Sequence, residues 1–424
     1  MQYRTARTRP EIPAREGRNY DRASVHRTDL ALVERMNMYY FTPSDLQVAR
    51  VDRQCIIKFC EALSSLVDRL QVISIQIQVS EHEQTTHADL YDLYGVKRSF
   101  GITLLPTQIH QDRRSTWGAL TTLMVYAAYS CREFIWRDRT SSPIVYLKNY
   151  AYMVPLVLIN ALRAQPVKLV FEIHSLPTKA YQQRLLQLAD GIVVNSHALK
   201  KDLTAMGLLE GKRAMGIHQG VDLAYVDSIR ISREAARARL DLPQDEFLAI
   251  YTGKVSDTYP EINYYIEAAE RLQGQATVVV VGGRADRVAK LRRRTSHLSN
   301  LRFIEFVPPS EIYYYQFAAD ALLLYYPPGI KLNKYRSPGK LFEYMASGSP
   351  MVCADYSVLE EVVQHGKTAL MVERDNPAAL VEGILRLKND AALGDRIAQN
   401  ARQDVERHTW GARARRINEF ISTL

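Results

Sequence analysis

Strand-like and helix-like segments alternate through this chain in two successive series, and that alternation constrains the fold more than any other feature. In the first series "MNMYYFTP" reads as a strand, "CIIKFCEALSSLVDRL" as a helix with apolar spacing of three and four, and "QVISIQIQV" as the next strand. "FGITLLPT", "PIVYLKN", "VKLVFEIH" and "DGIVVNS" continue as strands, separated by the helical runs "GALTTLMVYAAYSCREFIW", "MVPLVLINALRA" and "KAYQQRLLQLA". The second series starts near Phe247 with "FLAIYTGK" and runs through "NYYIEAAERLQ", "ATVVVVGG", "DRVAKLRRRT", "LRFIEFV", "SEIYYYQFAA", "DALLLYY", "PMVCADY" and "TALMVE". Strands separated by helices call for a parallel sheet covered on both faces, so each series predicts a doubly wound, Rossmann-like domain. Ligands of such sheets bind beyond the carboxyl ends of the strands, and two such domains can turn both sets of ends onto one cleft.

The series and the segments between them divide the 424 residues into five parts. An arginine-rich, flexible arm is expected over 1–29 and a first Rossmann-like domain over 30–220. A charged, mostly helical hinge region follows over 221–245, then a second Rossmann-like domain over 246–400. The final helical run, 401–424, is expected to pack back on the first domain. No apolar run reaches the roughly eighteen residues that span a bilayer, and the N-terminus lacks the apolar core of a signal peptide. The four cysteines are scattered without metal-ligand spacing and read as free thiols in a reducing cytoplasm. A net charge of +9 suits phosphorylated substrates or anionic lipid. Zinc-finger spacing, RNP-type segments and long basic blocks are missing, so nucleic acid is not an expected partner. The expected location is cytoplasmic, with peripheral contact at the inner face of a membrane left open by the charge.

One segment carries chemistry that can be read directly. In "KYRSPGKLFEYMASGSP", Ser337 is a good N-cap and Pro338 suits the first helical position. Gly339 lets a ligand approach the backbone, and the amides of Gly339 and Lys340 at a helix N-terminus suit a phosphate. Glu343 lies one turn further in, where its carboxylate could accept from two vicinal ribose hydroxyls. The competing reading is a capped surface helix with a solvated Lys–Glu pair. His174, just past a strand end, faces the same choice between lining a cleft and serving the fold.

These residues also resemble a known family. "SPGKLFEYMASGSPMVCADYSVLEEVVQHGKTALMVERDNPAAL" looks like the donor-binding half of the family-four retaining glycosyltransferases (glycosyl transferases group 1) of the GT-B fold. "LADGIVVNSHALKKDLTAMGL", "GIHQGVDLAYV", "YTGK" with "YYIEAAERL", and "VVVVGGR" are similar to further family segments, in the family's order. The resemblance covers most of Val167–Val405, whereas the first 150 residues match only in strand–helix order.

It implies a GT-B enzyme that moves a sugar, with retained anomeric configuration and no metal cofactor, from a nucleotide-sugar donor. UDP-sugars are favoured and GDP-mannose comes next, and the acceptor is a glycan, a lipid-linked or another hydroxyl. It implies that Glu343 binds the ribose, that Ser337, Pro338, Gly339, Lys340 and Leu341 form the diphosphate seat, and that His174 contacts donor sugar and phosphate. Gly253, Gly282, Gly283 and Arg284 fall in phosphate-facing loops, and Lys254 stands where the family has Arg, to neutralise the leaving diphosphate. Phe306 and Val307 fall where the backbone holds the nucleobase edge. Lys148 and Asn149 end a first-domain strand, and from that position they are expected on the acceptor side.

The chain also departs from the family. A second cation expected shortly after Lys254 is replaced by "VSDTYPEI", with Tyr259, Pro260 and Glu261 in that region. Its charge could come from Arg284, Lys331, Lys334 or Arg336. Tyr335 stands where the first of two paired glutamates would be. No Asp-x-Asp triplet occurs, so a metal-bridged diphosphate is not indicated. A nucleotide-sugar epimerase of the same fold and an inactive nucleotide-sugar-binding protein remain as alternatives.

Overall fold

The computed structural model describes residues 37–47, 51–76, 89–107, 116–138, 141–255, 261–326 and 334–424, all within one compact unit, Arg35–Leu424. The arm over 1–29, Tyr259, Pro260 and Lys331 lie outside the described residues.

Seven strands make the first sheet: β1 (Asn37–Phe41), β2 (Arg69–Gln76), β3 (Gly101–Pro106), β4 (Ile144–Leu147), β5 (Lys168–Ile173), β6 (Gly191–Val194) and β7 (Arg213–Gly216). Every pairing is parallel, in the order β3-β2-β1-β4-β5-β6-β7. Helices α1 (Val51–Ser64) and α2 (Leu90–Tyr94) cover one face. The other is covered by α3 (Thr116–Cys131), α4 (Met153–Asn160), α5 (Ala180–Leu186) and α6 (His197–Ala205).

The second sheet holds β8 (Leu248–Val255), β9 (Thr277–Gly283), β10 (Leu301–Glu305), β11 (Ala321–Leu324), β12 (Met351–Ala354) and β13 (Leu370–Val372). Its order is β10-β9-β8-β11-β12-β13, again parallel throughout. On one face lie α7 (Leu223–Ser228), α8 (Arg233–Leu240), α11 (Pro309–Phe317), α12 (Gly339–Ser347) and α13 (Ser357–Glu360). On the other lie α9 (Glu261–Arg271), α10 (Ala285–Arg294) and α14 (Pro377–Asn389), while α15 (Ala391–Asp404) contributes to both cores.

The central strands are unbroken apolar runs because both of their faces are covered: "IVYL", "GIVV", "ALLL" and "MVCA" are buried along their whole length. In each sheet the strand order reverses beside the first strand, between β1 and β4 and again between β8 and β11. A doubly wound sheet opens a crevice at such a reversal, past the carboxyl ends of its strands.

The chain crosses from the first sheet to the second after β7 and returns before α16 (Trp410–Ser422). The crossings lie side by side: the Val221 amide donates to the His408 carbonyl at 3.0 Å and the Trp410 amide to the Val221 carbonyl at 3.2 Å. Val226 of α7 and Ala236 of α8 are buried in the second core. Trp410, Ala414, Ile417 and Ile421 of α16 pack with α1 in the first core.

Candidate functional site

The second-domain half of the site is built around the start of α12. Its helical residues begin at Gly339, with Pro338 in extended conformation at the N-cap and no side-chain cap. The expectation that Ser337 caps this helix is corrected: with the start one residue later, Ser337 lies outside the capping position. Its hydroxyl instead accepts the Gln219 amide at 2.9 Å and meets His218 Nδ1 at 3.2 Å, joining α12 to the crossing segment. The first amides of an α-helix have no carbonyl partner within the helix, and here they belong to Gly339 and Lys340. A Cβ built on Gly339 would meet no atom within 4 Å, so the approach to that amide is open. Leu341 is fully buried and can offer a ligand only its backbone.

The ends of β8 and β9 close against this helix start. Gly282 has φ +119°, and a Cβ there would lie 2.2 Å from the Gly253 carbonyl oxygen, so the two strand ends meet backbone to backbone. The Lys340 ammonium sits over Gly253, 3.8 Å from the centre of the Tyr251 ring. Tyr344, buried on the inner side of α12, locks the arrangement by accepting the Thr252 amide at 3.0 Å. Glu343 is half-buried beside them. Burial pushes its carboxyl up, against the opposing pull of Lys340 and a Gln316 hydrogen bond.

Lys254 is exposed at the end of β8. Gly283 packs on Val288, and its carbonyl accepts the Phe306 amide at 2.9 Å, leaving the Phe306 ring on the surface. Val307 is partly buried against the second core. Three of the proposed substitute cations are described. Arg284 pairs with Asp286 at 3.1 Å, Lys334 pairs with Asp202, and the Arg336 guanidinium lies 5.0 Å from the Tyr326 ring centre.

The first-domain half is organised by a residue that was not singled out from sequence, Glu172 on β5. Its side chain is fully buried and gathers Lys148 Nζ at 3.2 Å, His174 Nε2 at 2.6 Å, Arg413 at 3.0 Å and the Tyr146 hydroxyl. Burial alone would raise its carboxyl, but Lys148, Arg413 and the His174 hydrogen bond overcome that and hold it well below the usual carboxylate range. His174 thus has Nε2 fixed on a buried carboxylate while its side chain stays 42% exposed. Lys148 and His174, taken from different strand ends, meet on the same carboxylate. Asn149 does not join them: its side chain accepts the Ala151 amide at 2.9 Å and caps the turn before α4. The Cys55 thiol of α1 is electrostatically coupled to both halves. Burial and Glu343 push it up to about 12, and Lys148 pulls the other way.

Further contacts tie the halves together. Glu361 accepts the amides of His197 and Ala198 at 2.7 and 2.6 Å, capping α6 from the other domain, and meets His218 Nε2 at 2.8 Å. Tyr335, expected only as a departure from the family, is buried in the first core and donates to Asp202 of α6 at 2.5 Å. A concavity of about 270 Å³ beside the crossing is lined by His197, His218, Glu361, Arg407, His408 and Arg416, among others. The His408 ring is held down to about 4, chiefly by burial.

Sequence reading missed Glu172, Arg413, Glu361 and His218. One signal was available for Glu172, since it and His174 are two residues apart at a strand end and project to the same side. The others depend on contacts between distant parts of the chain.

Residues 232–404 match the family model described as glycosyl transferases group 1. Curated relatives include D-inositol 3-phosphate glycosyltransferases of Nocardioides sp. and Streptomyces bingchenggensis. The first is 26% identical over 55% of this chain and 54% of its own length, the second 25% identical over 54% and 52%. The chain thus spans about half the length of the curated relatives it matches. Among solved structures, Anabaena HepE in complex with UDP and glucose superposes with a TM-score of 0.66 at 16% identity, covering 92% of this chain and all of that one. Sucrose-phosphate synthase from Thermosynechococcus elongatus superposes at 0.68 and 16% identity, over 92% of this chain and 99% of its own. Residues 232–404 thus resemble the glycosyl transferases group 1 domain, and the chain adopts the two-domain GT-B fold.

Proposed function

We propose that the protein is a retaining glycosyltransferase that takes a sugar from a nucleotide-sugar donor to a hydroxyl acceptor without a metal cofactor. The observation that carries this reading is the convergence of the α12 amides, Lys340 and the Gly253–Gly282 contact at the strand ends of the second sheet. In this reading the amides of Gly339 and Lys340 hold the diphosphate. The ammonium groups of Lys340 and Lys254 balance the charge that builds on the departing nucleotide. Glu343 accepts the ribose hydroxyls, and Phe306 and Val307 hold the base edge.

His174 faces the donor sugar from the first domain. Glu172 fixes the face of its ring and, with Lys148 and Arg413, keeps the cleft wall charged and ordered. The leaving phosphate oxygen takes the acceptor's proton on the face from which the nucleotide departs, so configuration is retained and no protein base is needed. A UDP-sugar is the favoured donor, supported by the UDP complex of the structurally similar HepE, with GDP-mannose next. The acceptor is a glycan, a lipid-linked or another hydroxyl compound.

The test is turnover of a nucleotide-sugar panel with and without candidate acceptors. Glu343→Ala and His174→Ala should each abolish transfer while leaving the fold intact, and wild-type turnover by both would refute the assignment. Incubation with donor alone separates the alternatives: an isomerised sugar identifies an epimerase, and tight binding without transfer or hydrolysis identifies an inactive binder.

A further inference from the structure

The outer face of the first domain is unusual for a surface exposed to water. The sixteen residues of α3 and the eight of α4 include no charged side chain. A helix that is apolar around its whole circumference is ordinarily covered on every side. Here Leu120 and Met124 of α3, Val154 and Leu158 of α4, Leu162 just beyond it, and Trp136 in the turn after α3 all stand exposed, Trp136 at 69% and Leu162 at 75%.

They form one surface. Helices α3 and α4 pack side by side. Arg163, following α4, donates to the carbonyls of Phe134, Asp138 and Ser141, which ties the Trp136 turn to the end of α4. Around this surface Arg132, Arg137, Lys179 and Arg184 are exposed. Between residues 116 and 189 the acidic residues are Glu133, Asp138 and Glu172. Of these, Glu133 and Glu172 are buried, and Asp138 accepts hydrogen bonds from Ser141.

We propose that this face docks on a lipid bilayer that carries anionic headgroups. Exposed leucines, a methionine and a tryptophan provide apolar contact at the depth of the headgroup–acyl boundary, and the arginines and Lys179 at the rim meet the negative surface. Helix α4 begins a short turn after Lys148 and runs back from the cleft, so Val154 lies nearest the cleft and Leu158 and Leu162 toward the opposite end of the domain. Binding to lipid needs no donor, so the proposal stands or falls separately from the functional reading.

The experiment is flotation of the full chain with vesicles of phosphatidylcholine alone and with about 30 mol% phosphatidylglycerol added. The chain is expected to float with the anionic vesicles and not with the neutral ones. The Leu158→Glu/Leu162→Glu variant should bind about tenfold more weakly, with an unchanged thermal melt. Arg132→Gln/Arg184→Gln, exposed positions that spare the Arg137–Glu133 pair, should lose most of the salt-sensitive part of the binding. Tryptophan emission should shift to the blue on the anionic vesicles, and Trp136→Phe should remove that shift. Wild-type chain that ignores anionic vesicles, or variants that bind them as well as wild type, would overturn the proposal. So would a self-association that Leu158→Glu/Leu162→Glu abolishes in a chain without vesicle affinity, which would mark the face as an interface between copies.

Discussion

Glu172 is the residue on which the first-domain wall depends. It is a buried carboxylate that neutralises a nearly buried Arg413 and a partly buried Lys148. Glu172→Gln leaves both cations without their counter-charge, and denaturant unfolding should show a loss of about 3–5 kcal/mol. Its carboxyl lies below the ordinary range in the folded chain, so its contribution is present above the unfolded carboxylate value and is lost as pH falls through the depressed one. The acid limb of the stability curve should therefore be shallower in Glu172→Gln. Glu343 has the opposite sign. Burial raises its folded value, so the folded chain binds that proton more tightly than the unfolded one, and stability falls as pH rises through this window. Glu343→Gln should accordingly melt higher than wild type at about pH 8 and show no such gain at about pH 4, while binding donor more weakly. A carboxylate that the fold would rather keep protonated, retained on the wall of a cleft, fits a residue kept for its ligand.

The elements that build the site differ in how openly the sequence announces them. The strands of both sheets are legible because two-sided burial makes them continuous apolar runs, and α12 is legible from its Ser-Pro-Gly start and its Gly348 end. The Ser-Pro-Gly pattern puts the first residue of that helix one position early, at Pro338 where the helix starts at Gly339. Ser337 has the right side chain for a cap, but its hydroxyl is taken by Gln219 and His218, more than a hundred residues away in sequence. No local pattern signals such a contact. The same holds for Arg413, which reaches Glu172 from the other end of the chain, and for Tyr335, whose burial depends on α6 of the other domain. The double glycine that ends β9 is legible as phosphate-facing, but the reason for Gly282 is the Gly253 carbonyl in the neighbouring strand. Gly282→Ala combines a positive φ with that close approach. It should cost about 1–3 kcal/mol and weaken donor binding more than a surface alanine would, as thermal melts with and without donor will show.

At the scale of the molecule, the domains are joined by two adjacent crossings and by the Glu361 contacts, which cap α6 across the cleft. Glu361→Ala removes an acceptor shared by two helix amides and His218, so it should lower donor affinity without touching the donor. Small-angle scattering should show a more open average shape. In the proposed complex the donor sits between the α12 amides and the ends of β8 and β9, with Glu343 on its ribose. Thermal shift with UDP-, GDP- and ADP-sugars, run in parallel on wild type and Glu343→Ala, tests this placement most directly. A donor bound to the folded state must raise the melting temperature. Wild type should be stabilised by one nucleotide series, with UDP-sugars first, and Glu343→Ala little or not at all. Equal stabilisation of both proteins, or none of wild type by any sugar nucleotide, would contradict it.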